Sequence, residues 1–389
     1  MKKIISGIAA LALAASVFAV DFAANVQVKG DVAGFKFVDD KSTITLFGFE
    51  NTDQKDNDLL TVSFAGDRAG ANFQFWTTVA EGNPTVRALR VWFQPLEWIK
   101  VSIGNVDAGL YTERINWWKV PMASNVQHFD MWTAKWSSGA VVDGVGALVE
   151  LTPIDGLWIA AAVAPGAGNN WFTKAGDADV VTAQYGVGVK YQIIDIVSAG
   201  VAFRDFGTGD RKILTAGADF GNWGTPYYAF LQAKVSFEKE LYLEDWWKVL
   251  NNVDGDWIVG GITIDNYVSY NFGFMKLEAT IPVTIRLSGE DFDPSYMTAR
   301  IKATIPLDAL SLYFVVGSDE GLNNKPLESA QKAVWTLNDK FGDNLNIYAN
   351  VGLNFNVGSA NLDCGVEFAY DKAAKTTVIA VPFVAKVAF

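Results

Sequence analysis

The chain is 389 residues long and half of it is hydrophobic, yet acid exceeds base, with 43 Asp and Glu against 31 Lys and Arg. That balance argues against nucleic acid as a partner, which would draw clustered basic residues, and a single cysteine, Cys364, excludes an intrachain disulfide framework. Beyond residue 19 there is no uninterrupted apolar run of about 18 residues, so no transmembrane helix is expected.

The N-terminus reads MKKIISGIAALALAASVFA: two lysines, an apolar run from Ile4 to Val17, and small Ala19 closing Val-Phe-Ala. This is the pattern of a secretory signal peptide, residues 1–19, cut after Ala19. Its removal takes away Lys2 and Lys3 and no acid, which moves the net charge from −12 to −14. No cysteine follows the apolar run, which speaks against a lipoprotein anchor. Residues 20–389 are read as a single domain. Its first part, Ala23–Phe37, fits a further strand, part of a barrel closure, or a plug.

From there the dominant period is two, so side chains fall on opposite faces of extended strands. Strands are predicted near 43–50, 58–65, 71–79, 85–94, 98–105, 144–152, 157–163, 180–192, 196–205, 212–220, 226–237, 257–271, 275–287, 296–305, 309–318, 345–356, 361–370 and 376–389, about 18 in all. LNIYANVGLNFNVG (Leu345–Gly358) is the clearest case: Leu345, Ile347, Ala349, Val351, Leu353 and Phe355 share one face, and Asn346, Tyr348, Asn350, Asn354 and Asn356 the other. Tight reversals recur in PLEWIKVSIG (Pro95–Gly104), PIDGLWIAAAV (Pro153–Val163), IIDIVSAGVAF (Ile193–Phe203) and PLDALSLYFVVG (Pro306–Gly317). Longer connections lie between them at Asn105–Thr133, Ala164–Asp179, Glu238–Asp256 and Asp319–Asn344, with short helices fitting Lys239–Leu250 and Pro326–Phe341. Pro282 and Pro382 each lack a ladder donor inside a predicted strand. Trp92, Trp98, Trp158, Trp223 and Trp257 fall near strand ends, where a membrane interface holds amphipathic rings.

The last segment, TTVIAVPFVAKVAF, alternates to a terminal Phe389. It resembles the C-terminal strand of bacterial outer-membrane proteins, whose final aromatic residue is read by the barrel-assembly machinery. With the hairpins and the signal peptide, the whole mature chain resembles a Gram-negative-type porin, with a likeness to the spirochaete (treponemal) major outer sheath type. The resemblance implies an all-β transmembrane antiparallel barrel of about 16–18 strands, short periplasmic turns and longer extracellular loops. It also implies the cell outer membrane as location, outer-membrane lipid as partner, a homotrimer as the family's habit, and a channel for passive diffusion of small hydrophilic solutes. No cofactor is implied.

In such a barrel the polar register faces water inside. That places Arg90, Lys100, Lys190, Arg204, Lys276, Arg286, Arg300, Lys302 and Lys386 in the lumen against Glu150, Glu278, Asp363 and Glu367, with Asn346, Asn350 and Asn354 beside them. A wall richer in cations than the chain favours anionic or neutral solutes. The long loop after Gly104 carries Glu113, Arg114, Trp117, Trp118 and Lys119. Folded inward, this loop (105–133) would narrow the pore; folded outward, its aromatics would pack on the rim. Catalytic signals are poor: His128 is the only histidine and has no partner at metal-ligand spacing, so neither an enzyme nor a metal site is expected. Two other readings remain open from sequence, a surface-exposed adhesin and a soluble exported β-sandwich that binds carbohydrate.

Overall fold

The structure, a computed structural model, describes residues 19–38, 41–49, 59–76, 85–110, 141–165, 172–175, 178–181, 183–207, 211–221, 225–239, 257–281, 283–286, 296–320, 345–372 and 375–388. Regular structure among the described residues is entirely β. The first half holds β1 (Ala19–Val38), β2 (Lys41–Phe49), β3 (Leu59–Ala65), β4 (Ala69–Trp76), β5 (Thr85–Leu96), β6 (Ile99–Ala108), β7 (Val142–Leu151), β8 (Leu157–Ala164), β9 (Phe172–Ala175), β10 (Ala178–Val181) and β11 (Gln184–Ile194). The second holds β12 (Val197–Asp205), β13 (Arg211–Gly221), β14 (Tyr227–Lys239), β15 (Trp257–Asn271), β16 (Lys276–Thr280), β17 (Val283–Arg286), β18 (Tyr296–Leu307), β19 (Leu310–Glu320), β20 (Leu345–Val357), β21 (Ala360–Asp371) and β22 (Thr376–Ala388).

All pairings are antiparallel. Twenty strands share one sheet, while β9 and β10 form a separate hairpin. That hairpin lies in the stretch the sequence assigns to a loop. Neighbours in the chain are neighbours in the sheet from β3 through β22, save that β16 and β17 share one place and that β8 pairs β11 across the separate hairpin. The pairings return to their start, because β1 pairs β22 along one edge and β2 and β3 along the other. Ala23–Phe37 is therefore a closing strand.

Two staves are built from collinear pieces. Along β1, Gly30–Val38 faces β2 and Ala19–Asn25 faces β3, so the strands predicted separately near 43–50 and 58–65 lie end to end in one stave. Strands β16 and β17 both lie between β15 and β18, and they part at residues 281–282, where the sequence has its proline. Counting each pair once turns twenty strands into eighteen staves.

The break beside β16 is mended from the neighbouring stave. On the outer face of β15, the Asn266 side chain donates from Nδ2 to the Ile281 carbonyl at 2.5 Å and accepts at Oδ1 from the Ile281 amide at 2.9 Å. A side-chain amide thus supplies the donor and acceptor that the ladder lacks there. At Pro382 the strand continues, and the accommodation is in β1, whose register shifts between Asp31 and Ala33 opposite the proline.

The dressing of the barrel is the reverse of a soluble protein's. On the outer face Val187, Leu231, Ile301, Val316 and Val366 are each more than half exposed, whereas on the inner face Gln232 and Asp265 are almost fully covered. Leaving one such aliphatic side chain in water forgoes about 1.5–3 kcal/mol. Repeated around the barrel, that exceeds the whole stability of a typical domain, about 5–15 kcal/mol. The outer face is built for an apolar surround, and a sandwich with a dry aliphatic interior is excluded.

The two rims differ. On one, two-residue turns join β5 to β6 (Leu96 opposite Ile99), β11 to β12 (Ile194 opposite Val197), β18 to β19 (Leu307 opposite Leu310) and β20 to β21 (Val357 opposite Ala360). Gly358 takes φ 60° in the last, and Asp308 φ 37° in the third. The other rim carries the long links, 109–141, 165–183, 240–256 and 321–344.

Candidate functional site

The inner wall is the inward register of every stave, and it holds a continuous set of charged and polar side chains. Arg90 reaches Ser102 Oγ through Nη2 at 3.0 Å. The Lys100 ammonium lies 5.4 Å from the centre of the Trp92 ring, and Lys190 lies 5.8 Å from that of Trp158. Trp158 Nε1 donates to Glu150 Oε1 at 3.1 Å, and Glu150 sits directly opposite Lys100. Arg204 donates to Gln184 Oε1 at 2.9 Å and stacks on Phe206 at 4.3 Å. Farther round, Glu278 accepts from Lys276 Nζ at 2.9 Å and from Tyr267 Oη at 2.6 Å. Arg300 stands 5.5 Å over Tyr348, and Lys302 5.8 Å over Tyr313. Asn350 and Glu367, opposite one another on β20 and β21, are buried.

From β6 to β15 the inner wall also carries a buried apolar tract. Val106 and Ala108 on β6, Leu148 on β7, Ala160, Ala162 and Ala164 on β8, Ala202 on β12, Tyr228 and Phe230 on β14 and Tyr267 on β15 belong to one cluster. Leu110 and Val141, the two described ends of the longest link, join it. They sit over glycines: a Cβ on Gly186 would lie 1.9 Å from the Val141 carbonyl oxygen, and one on Gly200 would lie 2.9 Å from Leu110 Cδ2. Glycine and alanine make the wall thin there, and both ends of the link lie against its inner surface. The link runs over 109–141, because β6 continues past Asn105 to Ala108 and β7 begins at Val142. At the far end of this tract a buried ion pair, Lys234 with Asp265 at 3.6 Å, stands on β14 and β15.

From β19 to β21 the wall is built of amides near the rim of tight turns. Asn354 and Asn361 exchange hydrogen bonds at 3.1 and 3.0 Å, Asn361 also donates to Asn356 at 2.7 Å, and Asn354 reaches Asp363 at 3.4 Å. Tyr313 Oη donates to Asp363 Oδ1 at 2.6 Å. The three asparagines are partly exposed, so they face the lumen with hydrogen-bonding capacity and no charge of their own beside the Asp363 carboxylate, while Tyr313 is buried.

Several sequence expectations need correction or fall elsewhere. Trp92 and Trp158 are on the inward register with the lysines, so they cannot serve as interface anchors on the lipid side; among the described members of that set only Trp98, in the turn after β5, stands exposed at a rim. Phe220, Tyr270, Phe272 and Phe274, exposed near the same rim, are aromatic residues that a count of tryptophans alone overlooks. The side chains of Trp257, Arg286, Asn346 and Lys386 are outside the described set, as are Trp223, Glu113, Arg114, Trp117, Trp118, Lys119 and Phe389 entirely.

No protein-family model matches this chain, and no curated protein matches it in sequence. Solved structures do match in shape. Pseudomonas aeruginosa OccK2 (OpdF), crystallised in complex with glucuronate, superposes with a TM-score of 0.54 at 7% identity, covering 95% of this chain and 98% of that one. P. aeruginosa OccK11 (OpdR) gives 0.52 at 9% identity over 95% and 96% of the two chains. The outer membrane protein opdK from the same organism gives 0.51 at 9% over 95% and 99%. At such identities the likeness establishes the fold: this chain is a β-barrel of the architecture seen in those outer-membrane proteins.

Proposed function

We propose that the protein is an outer-membrane porin, a water-filled channel for passive diffusion of small hydrophilic solutes. The observation that carries this reading is the reversed dressing of an eighteen-stave ring, aliphatic outside and charged inside. A barrel of that size is too wide for side chains alone to fill, and an exposed aliphatic surface closed on itself satisfies lipid without leaving a sheet edge. The porin architecture of the Pseudomonas neighbours supports it. Those proteins leave the spirochaete likeness resting on sequence alone.

A lumen register in which the sequence places more cations than acids favours anionic and neutral solutes, and glucuronate, with which OccK2 was crystallised, is a solute of that kind. Glu113, Arg114, Trp117, Trp118 and Lys119 would narrow the channel if the link between Leu110 and Val141 stays inside, a reading supported by both ends lying on the inner wall. Export through the 1–19 signal, assembly through the strand ending at Phe389, and trimer formation belong to the same proposal.

The test is conductance of the purified, detergent-refolded protein in a planar bilayer. Discrete single-channel steps are expected, with a reversal potential in a salt gradient that favours chloride over potassium. A correctly folded, heat-modifiable barrel that gives no steps would sink the channel, and clear cation preference would sink the solute class.

A further inference from the structure

Four cations on the inner wall share one construction; Lys100, Lys190 and Lys302 are partly open to the lumen, and Arg300 is buried. Trp92 faces Gly70, Tyr313 faces Gly352 and Tyr348 faces Gly317 directly across the ladder, and Trp158 lies diagonal to Gly188. In the first three the ring lies on the bare backbone of the glycine, and at Gly188 it shares that place with Val141, whose Cγ2 would lie 2.7 Å from an added Cβ. A Cβ would come within 2.6 Å of Trp92 at Gly70 and within 2.2 Å of Tyr313 at Gly352 and of Tyr348 at Gly317. At Gly188 it would come within 3.3 Å of Trp158. A cation stands over each ring: Lys100 over Trp92, Lys190 over Trp158, Lys302 over Tyr313 and Arg300 over Tyr348. Two of these stacks stand on β4–β6 and β8–β11, and two on β18–β20.

The order glycine, ring, cation has a physical logic. A ring lying on glycine replaces the side chain that glycine lacks, and it stays close to the wall because nothing holds it away. Its outer face then presents negative quadrupole to a cation. A lysine or arginine left to itself samples many rotamers across the lumen; over a fixed ring it favours one place.

We propose, building on the porin reading, that Trp92, Trp158 and Tyr313 are positioning residues for solute anions. They hold the partly exposed charges of Lys100, Lys190 and Lys302 at set stations along the wall, while the buried stack of Arg300 on Tyr348 repeats the construction out of reach of solute. The anion preference of the channel therefore depends on three uncharged rings as well as on the cations.

The test compares Trp92→Leu, Trp92→Phe and Lys100→Gln in planar bilayers, using the chloride-to-potassium permeability ratio. Trp92→Phe keeps a ring and should stay near the wild-type ratio. Trp92→Leu keeps every charge, yet occupancy of the held position should fall about two- to fivefold, moving the ratio toward that of Lys100→Gln. The proposal is overturned if Trp92→Leu matches wild type, or if the Phe and Leu variants are equally altered. Should Trp92→Leu fail to give a heat-modifiable barrel, Trp158→Leu against Trp158→Phe, read beside Lys190→Gln, poses the same question at a second station. Wild-type protein without single-channel steps would instead refute the porin reading, so the two failures are told apart.

Discussion

The apolar tract on the inner wall between β6 and β15 and the turn end of the inner wall from β19 to β21 solve the same problem in opposite ways. The first is dry: alanines, glycines and three mutually packed rings, Tyr228, Phe230 and Tyr267, are buried, and the ion pair at its far end is hidden, Lys234 and Asp265 being almost wholly covered. The second is wet at its turn end, where Asn354, Asn356 and Asn361 bond to one another and remain partly open to the lumen. One side is built as a seat for polypeptide, the other as a surface for water and solute. Polar groups carry different weight on the two sides, because a hydrogen bond or ion pair lost in a dry place leaves its partner uncompensated, while one lost beside water is replaced by water.

Asp265→Ala breaks the dry side most severely. It takes the counter-charge from the Lys234 ammonium in a covered place, which costs about 3–5 kcal/mol. The thermal midpoint of the heat-modifiable band in detergent should fall further than for Gly186→Val or Asn354→Ala. Replacing both partners together, Asp265→Leu with Lys234→Met, should recover most of the loss. A small effect of Asp265→Ala would mean that this wall is as wet as the other.

Gly186→Val tests the seat itself. Its side chain meets the Val141 carbonyl oxygen, which is backbone and cannot swing away, so overpacking of about 1–3 kcal/mol is expected. The end of the long link would be lifted from the wall, changing single-channel conductance as well as stability. Unchanged conductance and midpoint would show that nothing is seated there.

The division between the two walls is only partly legible in the sequence. The period of two makes the strands readable wherever turn chemistry bounds them: the alternation predicts a strand over 345–356, and β20 runs Leu345–Val357. Faces are readable too, because a residue's parity relative to Arg90 or Lys190 assigns its register. That signal also puts Trp92, two residues from Arg90, on the inward face, and it outweighs the cue of a position near a strand end. What the sequence hides is non-local. Strands β2 and β3 are collinear because both pair with β1, and nothing in the acidic stretch between them announces that. The glycine under each ring lies on another strand, and in the pair Gly70 and Trp92 it is 22 residues away, so the stacks exist only once register is fixed. The hairpin of β9 and β10 has a local cue, Gly176-Asp177 between short β-prone runs, which a reading of the whole stretch as a loop passes over.

Asn354→Ala should have the smallest effect, and its size matters most to the comparison. The change removes an amide that exchanges two hydrogen bonds with Asn361 and reaches Asp363, more polar contacts than Asp265 makes with Lys234. If the number of bonds set the outcome, this variant would be the worst. If access to water sets it, Asn361 and Asp363 find solvent in the lumen and the loss stays below about 1 kcal/mol. A midpoint shift for Asn354→Ala that rivals the one for Asp265→Ala would put the amide wall in a dry environment and remove the distinction between a seat and a solute-facing surface.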